Sequence, residues 1–270
     1  MLVKTTLTAM AAVMALSATA DARSLEEAKA SGKLIVGIQA DNCPWGCLSS
    51  TGEAQGFDAE IARAFAAHLG LEAEFVPMAV ANRIPGLTTD KVDVLIASLG
   101  ITAERANSVQ FSHPYAENTL YVTAPKDAAL PDLASLEGKR VGVPRSTPMD
   151  TILTAEAPSG TNLQRFDDDA SNIQALVSGQ VEAVGSNQFY MQRLEAARPG
   201  VYEDKFPIGA LYQGIATRLG EADWNTAANE FLAAYVGSEQ YNANYESILQ
   251  VDVPTLPDSI DGVSFTVAQQ

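Results

Sequence analysis

Cysteine and histidine are scarce in this chain, with two of each among 270 residues. Two thiols cannot complete a four-ligand structural zinc site, and the spacing of Cys43 and Cys47 is not that of a redox Cys-x-x-Cys. No other gathering of His, Cys and carboxylates points to a metal, and no cofactor is expected. Positive charge is in short supply too. Seventeen Lys and Arg stand against 33 Asp and Glu, a formal net charge of −16. That balance argues against nucleic acid and against an anionic membrane surface as partners. It also repels anionic ligands at long range, so an anion site must concentrate its arginines locally. Long apolar runs are missing beyond the first twenty residues, which leaves no membrane span there.

Those first residues, MLVKTTLTAMAAVMALSATA, carry one early lysine, a short apolar stretch and then small residues. They read as a secretory signal peptide over 1–22, with small-x-small cleavage sites at Ala18-Thr19-Ala20 and Ala20-Asp21-Ala22. Export makes a Cys43–Cys47 disulfide the expected state, closing a tight Pro-Trp-Gly loop that stiffens its surroundings locally. Trp45 in that loop is open to two roles, lining a cleft mouth or anchoring the loop.

About 250 mature residues suffice for a sizeable core and two lobes. Leu34–Ile38 reads as a strand. Phe57, Ile61, Phe65 and Leu69 recur every four residues and predict an amphipathic helix stopped by Gly70. Leu71, Ala73 and Phe75 alternate with glutamates as a half-buried strand, and Asn82–Leu87 is a short helical turn. Val92–Ala97 is an apolar run suited to a strand buried on both faces. It ends in Ser98, Gly100 and Thr102, followed by Arg105. Small residues, exposed backbone N–H groups and a guanidinium at a strand's carboxyl end suit the grip of a carboxylate.

A second α/β rhythm follows. Thr119–Ala124, Arg140–Val143 and Val181–Val184 read as strands, while Thr151–Ala157 and the Ile173-Leu176-Val177 stretch read as helices. The segments GLTTDKVDVLIAS and ALVSGQVEAVGSN share one plan: a helix end, a polar turn, an apolar strand and a small polar tip. Two lobes of similar build are therefore expected, with a return crossing near Lys205–Tyr212 and helices around Trp224–Tyr235 and Tyr241–Leu249. The expected boundaries are 23–124 for the first part of lobe I, 125–210 for lobe II and 211–270 for the return segment. The fold class is thus α/β, two lobes each with a mostly parallel sheet flanked by helices, joined by two hinge strands. The run Asp167-Asp168-Asp169 reads as a helix cap.

Several stretches together resemble the family 3 periplasmic solute-binding proteins of polar amino-acid ABC importers. The stretches are Gly56-Phe57-Asp58-Ala59-Glu60-Ile61, KVDVLIASLGITAER, Phe111-Ser112-His113-Pro114-Tyr115, Gly138–Val143 and Gly179–Val184. The resemblance implies a periplasmic, monomeric binding protein that closes its lobes over one ligand and hands it to an inner-membrane ABC permease. It implies no catalysis. By position, Arg105 matches the arginine that takes the ligand's α-carboxylate, and Ser98, Leu99 and Gly100 match the ligand-facing strand tip. Gln39 and Asn42 fall on the family's first ligand loop, and Val80 where an aromatic wall often stands. Thr147, with Pro148, matches the anion-binding turn of the second lobe. Asn187 replaces the aspartate that usually meets the ligand's ammonium.

Asn82-Arg83-Ile84-Pro85 is similar to the motif of glutamate/aspartate-binding members, so Arg83 and Arg105 would clamp an acidic amino acid, with Arg145 adding charge at the cleft edge. Gly100 brings no hydroxyl, Pro148 no N–H and Asn187 no charge. These departures keep an amine-free dicarboxylate as an alternative. Two further alternatives are a cyclohexadienyl dehydratase-like enzyme, which needs a positioned acid absent from the expected strand tips, and a ligand-silent accessory protein.

Overall fold

The computed structural model describes residues 22–267; the expected signal peptide falls almost wholly outside them. Helix α1 (Leu25–Ser31) opens the described chain. A Ser24/Glu27 capping box starts it and a left-handed Gly32 ends it. The sequence reading above omits this helix. Strand β1 (Lys33–Gln39) follows, then a small antiparallel sheet of β2 (Asp41–Asn42), β3 (Gly46–Leu48) and β4 (Ala54–Gln55). The expected Cys43–Cys47 disulfide closes the β2–β3 turn, with Cα atoms 5.2 Å apart.

Helix α2 (Phe57–His68) and strand β5 (Glu72–Met78) stand where periodicity places them. Helix α3 (Arg83–Thr88) precedes β6, and α4 (Ala103–Ala106) holds Arg105. The ladder of β6 is only Val94–Leu95, shorter than the expected strand over 92–97. The carbonyls of Ala97 and Ser98 leave the sheet because the Arg83 side chain takes them. Burial nonetheless runs unbroken, with Val92 through Ala97 all sealed from solvent.

Two 17-residue strands, β7 (Val109–Pro125) and β11 (Tyr202–Arg218), pair antiparallel along their whole length. They sit at the centre of one eight-stranded sheet of order β5-β1-β6-β11-β7-β10-β8-β9. The remaining strands are β8 (Arg140–Pro144), β9 (Asn162–Phe166) and β10 (Ala183–Asn187). On one side β5, β1 and β6 are parallel and β6 abuts β11; on the other β9, β8 and β10 are parallel and β10 abuts β7. The echo in the sequence is this symmetry. Its two copies end in β6 and β10, the inner strands of the two sets.

Helices α5 (Pro148–Glu156), α6 (Asp169–Val177) and α7 (Tyr190–Ala197) cover the second set. Helix α8 (Ala222–Tyr235) joins α1 and α2 over the first set, followed by α9 (Glu239–Asn244) and a π-helical turn at Tyr245–Leu249. The largest core gathers Leu34, Val36, Phe57, Phe65, Trp224 and Phe231 in the first lobe. A separate one gathers Val122, Leu136, Val141 and Val143 in the second. Separate cores make separate rigid bodies, with β7 and β11 as the covalent links.

The lobes are closed on each other. Gln39 Nε2 donates to Asp169, the Ala170 N–H to Asp41 (3.0 Å), and Asn187 Nδ2 to Asn42 Oδ1 (3.1 Å). Arg193 on α7 donates to the Asp41 carbonyl (2.7 Å) and to Asn42 Oδ1 (3.2 Å). Trp45 is fully buried, edge-on to Phe57 of its own lobe and to Phe189 of the other. It anchors the loop.

Candidate functional site

Closure leaves a narrow cavity of about 30 Å³ between the lobes, at the kind of domain interface where small-molecule sites form. Gln39, Asn42, Val80, Arg83, Ser98, Gly100, Arg105, Thr147 and Asn187, all singled out in the sequence, line it together with Pro148. Leu99 and Arg145 do not. The Leu99 side chain points away from Ser98 and Gly100 into the core with Met78, Leu87 and Phe111. Arg145 lies half-exposed on an ion pair with Asp167 (2.8 Å), outside the cavity. Six further residues line the cavity that the sequence reading omits: Asn118, Leu120, Met149, Asp169, Leu211 and Gln213. Four of these belong to the crossing strands, whose inward register no local pattern discloses.

Ser98 is the pivot. Its φ of 53° is left-handed, a strained conformation for a residue with a side chain and one that clusters at functional sites. This geometry turns its carbonyl to Arg83 Nη1 (3.0 Å) and its hydroxyl to Asn42 Nδ2 (3.2 Å) and Gln213 Nε2 (3.1 Å). The first ligand loop, the strand tip and the hinge strand thus meet on one oxygen.

Arg105 is held by the first turn of α4, whose Thr102 cap accepts the Arg105 N–H. Its Nη1 donates to the Gly100 carbonyl (2.8 Å) and its Nη2 to the Ser146 carbonyl (2.7 Å). Both acceptors are neutral, and Arg105 makes no ion pair among the described residues. Burial pulls its pKa down to about 9, with repulsion from Arg83 adding to the effect. A guanidinium has five N–H donors, and two are used here. The absence of a side chain on Gly100 makes room for Leu211 and leaves Arg105 at ordinary contact distance. A Cβ there would lie 3.5 Å from Arg105 Nη1 and 2.9 Å from Leu211 Cδ1.

Arg83 is spent differently. Its Nε donates to the Val80 carbonyl (3.1 Å), and its Nη1 to the carbonyls of Ala97 (2.7 Å) and Ser98 (3.0 Å) and to Gln39 Oε1 (3.4 Å). Burial lowers its pKa, but Asp169, Asp41 and Asp58 all act to hold its charge. This arginine ties the loop before α3 to the tip of β6.

On the second lobe, Thr147 caps α5 and its hydroxyl donates to the Pro144 carbonyl (2.6 Å). The positive end of that helix dipole therefore meets the cavity beside Arg105. Asn187 is fully engaged: its Nδ2 goes to Asn42 and its Oδ1 accepts the Phe189 N–H (2.9 Å). The three aspartates expected as a cap divide their work. Asp167 pairs with Arg145, Asp168 caps α6 through the Ser171 N–H, and Asp169 lines the cavity, 3% exposed. Its carboxylate accepts from Gln39 and Tyr190, and burial raises its pKa. An acid in the cleft is thus present, one residue beyond the cap and away from the strand tips.

Among the described residues no three or more His, Cys, Asp or Glu side chains gather to hold a metal ion. Nor is any helix there long and apolar enough to cross a membrane.

Known proteins are similar to this chain over both lobes. The L-cystine-binding protein TcyJ of Escherichia coli K12 is 26% identical over 228 residues, covering 83% of this chain and 85% of its own. The L-arginine-binding protein of Pseudomonas aeruginosa is 27% identical over 223 residues, covering 79% and 85%. The solved structure of the solute receptor for L-cysteine of Neisseria gonorrhoeae superposes with a TM-score of 0.78 at 29% identity, covering 84% of this chain and 93% of that one. The sequence profile of the bacterial extracellular solute-binding proteins, family 3, matches residues 34–250, which takes in both lobes and both crossing strands. With fold, cleft and profile in agreement over the same residues, the chain belongs to that family.

Proposed function

We propose that this protein is the exported, periplasmic binding component of an amino-acid ABC importer, and that it captures a polar amino acid by its α-carboxylate at Arg105. The lobes exchange within β7 and β11: near 210/211 in β11, and in β7 ahead of Val122 and Ala124, which pack in the second-lobe core and so lie beyond the crossing expected at 124/125. The single observation that carries the reading is Arg105: a buried cation, lining the cavity between the lobes, with no acid paired to it. Burying an unpaired charge is costly, and a ligand carboxylate would offset that cost through the free N–H groups of the guanidinium fork. Gln39, Asn42, Val80, Ser98, Gly100, Thr147 and Asn187 complete the walls. The named relatives bind amino acids, and their ligands all carry an α-carboxylate.

Capture proceeds by closure. Ligand contacts made by both lobes at once bias the equilibrium toward the closed form. The permease then receives the closed, loaded protein.

A second reading keeps the ligand acidic, glutamate or aspartate, with Arg83 gripping the side-chain carboxylate. It is favoured by the presence of two buried arginines in one cavity. It is weakened by the bonds Arg83 already makes to three carbonyls and by its three acidic neighbours.

Calorimetric titration of protein freed of ligand by unfolding and refolding separates the readings. The panel is cystine, cysteine, arginine, histidine, glutamine, glutamate, aspartate and succinate. Tight binding of any amino acid supports the proposal, and restriction to glutamate and aspartate selects the second reading. Binding of succinate above every amino acid would replace both with a dicarboxylate carrier. Silence across the panel would overturn the amino-acid assignment.

A further inference from the structure

The cavity holds a second charge that the carboxylate grip leaves unexplained. Asp169 belongs to the first turn of α6, is 3% exposed and lines the same space as Arg105. Its hydrogen-bond partners are neutral donors, the Gln39 amide and the Tyr190 hydroxyl, and it makes no ion pair among the described residues. Arg193, the nearest cation on its own lobe, is turned to the Asp41 carbonyl and Asn42 and stacks on the Tyr190 ring at 4.5 Å. Asn187, the other polar group of this lobe placed for an amine, has both ends of its amide engaged by Asn42 and Phe189. It is also neutral. Arg193 and Arg83 act on this carboxylate only through their charge and give it no hydrogen bond, so a direct cationic partner is lacking for an acid and a guanidinium that face one cavity from opposite lobes.

We infer that Asp169 is the group that receives the ammonium of the ligand, so that the closed cavity reads a dipole with Arg105 at its carboxylate end. The inference rests on the amino-acid reading above and adds the second pole to it. It also explains how Asn187 can stand where a charged residue is usual. The anionic function has moved from the tip of β10 to the start of α6, and Asn187 is left to lock the two lobes through Asn42. Arg105 from the first lobe and Asp169 from the second then supply the two poles, so a ligand carrying both groups rewards closure more than one carrying either alone. The ammonium could be the α-amine or a side-chain cation, and the two are separable by analogues.

The test is titration of wild type, Asp169→Asn and Asn187→Ala with cysteine, glutamate and arginine. Their deaminated counterparts, 3-mercaptopropionate, glutarate and 5-guanidinopentanoate, are run alongside. Asp169→Asn should weaken the best-bound amino acid by about 30-fold or more, the usual scale for losing one partner of a buried charge pair. It should change the affinity of the matching deaminated acid by less than about threefold. Asn187→Ala should weaken both members of the pair alike, because it loosens closure without touching the amine. If 5-guanidinopentanoate also loses about 30-fold in Asp169→Asn, the side-chain cation is the group received.

Equal losses for cysteine or glutamate and its deaminated partner, neither of which carries a side-chain cation, would make Asp169 a positioning residue for Gln39 and Tyr190 and overturn the inference. A selective loss in Asn187→Ala would overturn it as well, by returning the ammonium to β10. That second variant leaves the inference falsifiable even if Asp169→Asn does not fold. Wild type that binds none of the three amino acids, while remaining folded, would remove the amino-acid reading itself.

Discussion

Arg105 Nη2 donates to the carbonyl of Ser146 across the cleft, at 2.7 Å. The arginine is fixed on α4 of one lobe, and Ser146 sits in the left-handed turn between β8 and α5 of the other. One guanidinium thus serves the closing surface and, in the proposed function, the ligand. Burial with no acid partner, which lowers its pKa to about 9, makes it a liability to the unliganded closed form. Arg105→Ala should therefore leave the melting temperature of the ligand-free protein unchanged or slightly higher. Amino-acid affinity should fall by about 30-fold or more. Scanning calorimetry and titration on the same preparation check both halves. Retained affinity in Arg105→Ala would show that the carboxylate lies elsewhere.

The disulfide loop and α2 are fitted backbone to backbone. The Phe57 and Asp58 N–H groups, the first free donors of α2, go to the carbonyls of Pro44 (2.9 Å) and Trp45 (2.8 Å). Gly56 allows this approach, with a φ of 104° and room for no side chain. A Cβ there would stand 2.5 Å from the Trp45 oxygen and 2.6 Å from that of Pro44. Gly56→Ala should cost roughly 3 kcal/mol or more, since both the dihedral and the contact are forbidden to alanine and backbone must move. Asn42, next to the loop, should shift with it and carry ligand affinity down. Chemical denaturation measures the first effect; an alanine variant as stable as wild type would refute the fit described.

Asp58 gives the protein a pH dependence unrelated to its ligand. The side chain is fully buried at the start of α2, where Tyr115 donates to it at 2.8 Å. Desolvation raises its pKa to about 7, against the lowering influence of Tyr115, Ser98 and Arg83. The folded state therefore keeps this proton to a higher pH than the unfolded chain. Its contribution to stability is full below about pH 4 and is lost as pH rises through about 7. At ~1.4 kcal/mol per unit over about three units, the loss is on the order of 4 kcal/mol. Asp58→Asn keeps an acceptor for Tyr115 and removes the titration. The fall in unfolding free energy between pH 5 and pH 8 should be smaller in that variant than in wild type. Asp93, Asp169 and Asp204 shift in the same direction, so the difference between the two proteins is the informative quantity. Parallel pH profiles would rule out Asp58 as a source.

What the sequence disclosed and what it hid follow from the range of the forces involved. Phe57, Ile61 and Phe65 disclosed α2 because a helical period is a local property, and the apolar run ending at Ser98 disclosed the inner strand and its tip. Arg105 was legible because its spacing from that tip is local as well. Arg145, expected at the cleft edge, lies outside the cavity: its charge is visible in the sequence, but its capture by the nearby Asp167, read as part of a cap, is not. Leu99 was included with its neighbours although alternation along the extended tip sends it to the core. Asp169 was hidden inside an acidic run in which Asp168 alone caps, and one residue of helical rotation separates a solvated cap from a cleft acid. Gln213 and Asn118 were hidden for another reason. They face the cavity because β7 and β11 pair across 17 residues, a register set by contacts about a hundred positions apart.

Arg83 decides between a clamp for acidic side chains and a brace for the binding loop. In the closed structure its Nε and Nη1 satisfy the carbonyls of Val80, Ala97 and Ser98, and Ser98 is the strained residue that lines the cavity. Arg83→Met keeps most of the apolar stem and removes those donors, so three buried acceptors lose a partner. Each such loss costs on the order of 1–3 kcal/mol. The brace predicts a fall in melting temperature and similar affinity losses for glutamate, cysteine and arginine, because the common tip at Ser98 is disturbed. The clamp predicts little change in melting temperature and a loss confined to glutamate and aspartate. Removing a cation that already has Asp169, Asp41 and Asp58 nearby also leaves those acids less compensated, which deepens the stability loss under the brace. The bonds already made by the guanidinium favour the brace, and a loss seen for acidic ligands alone would reverse that judgement.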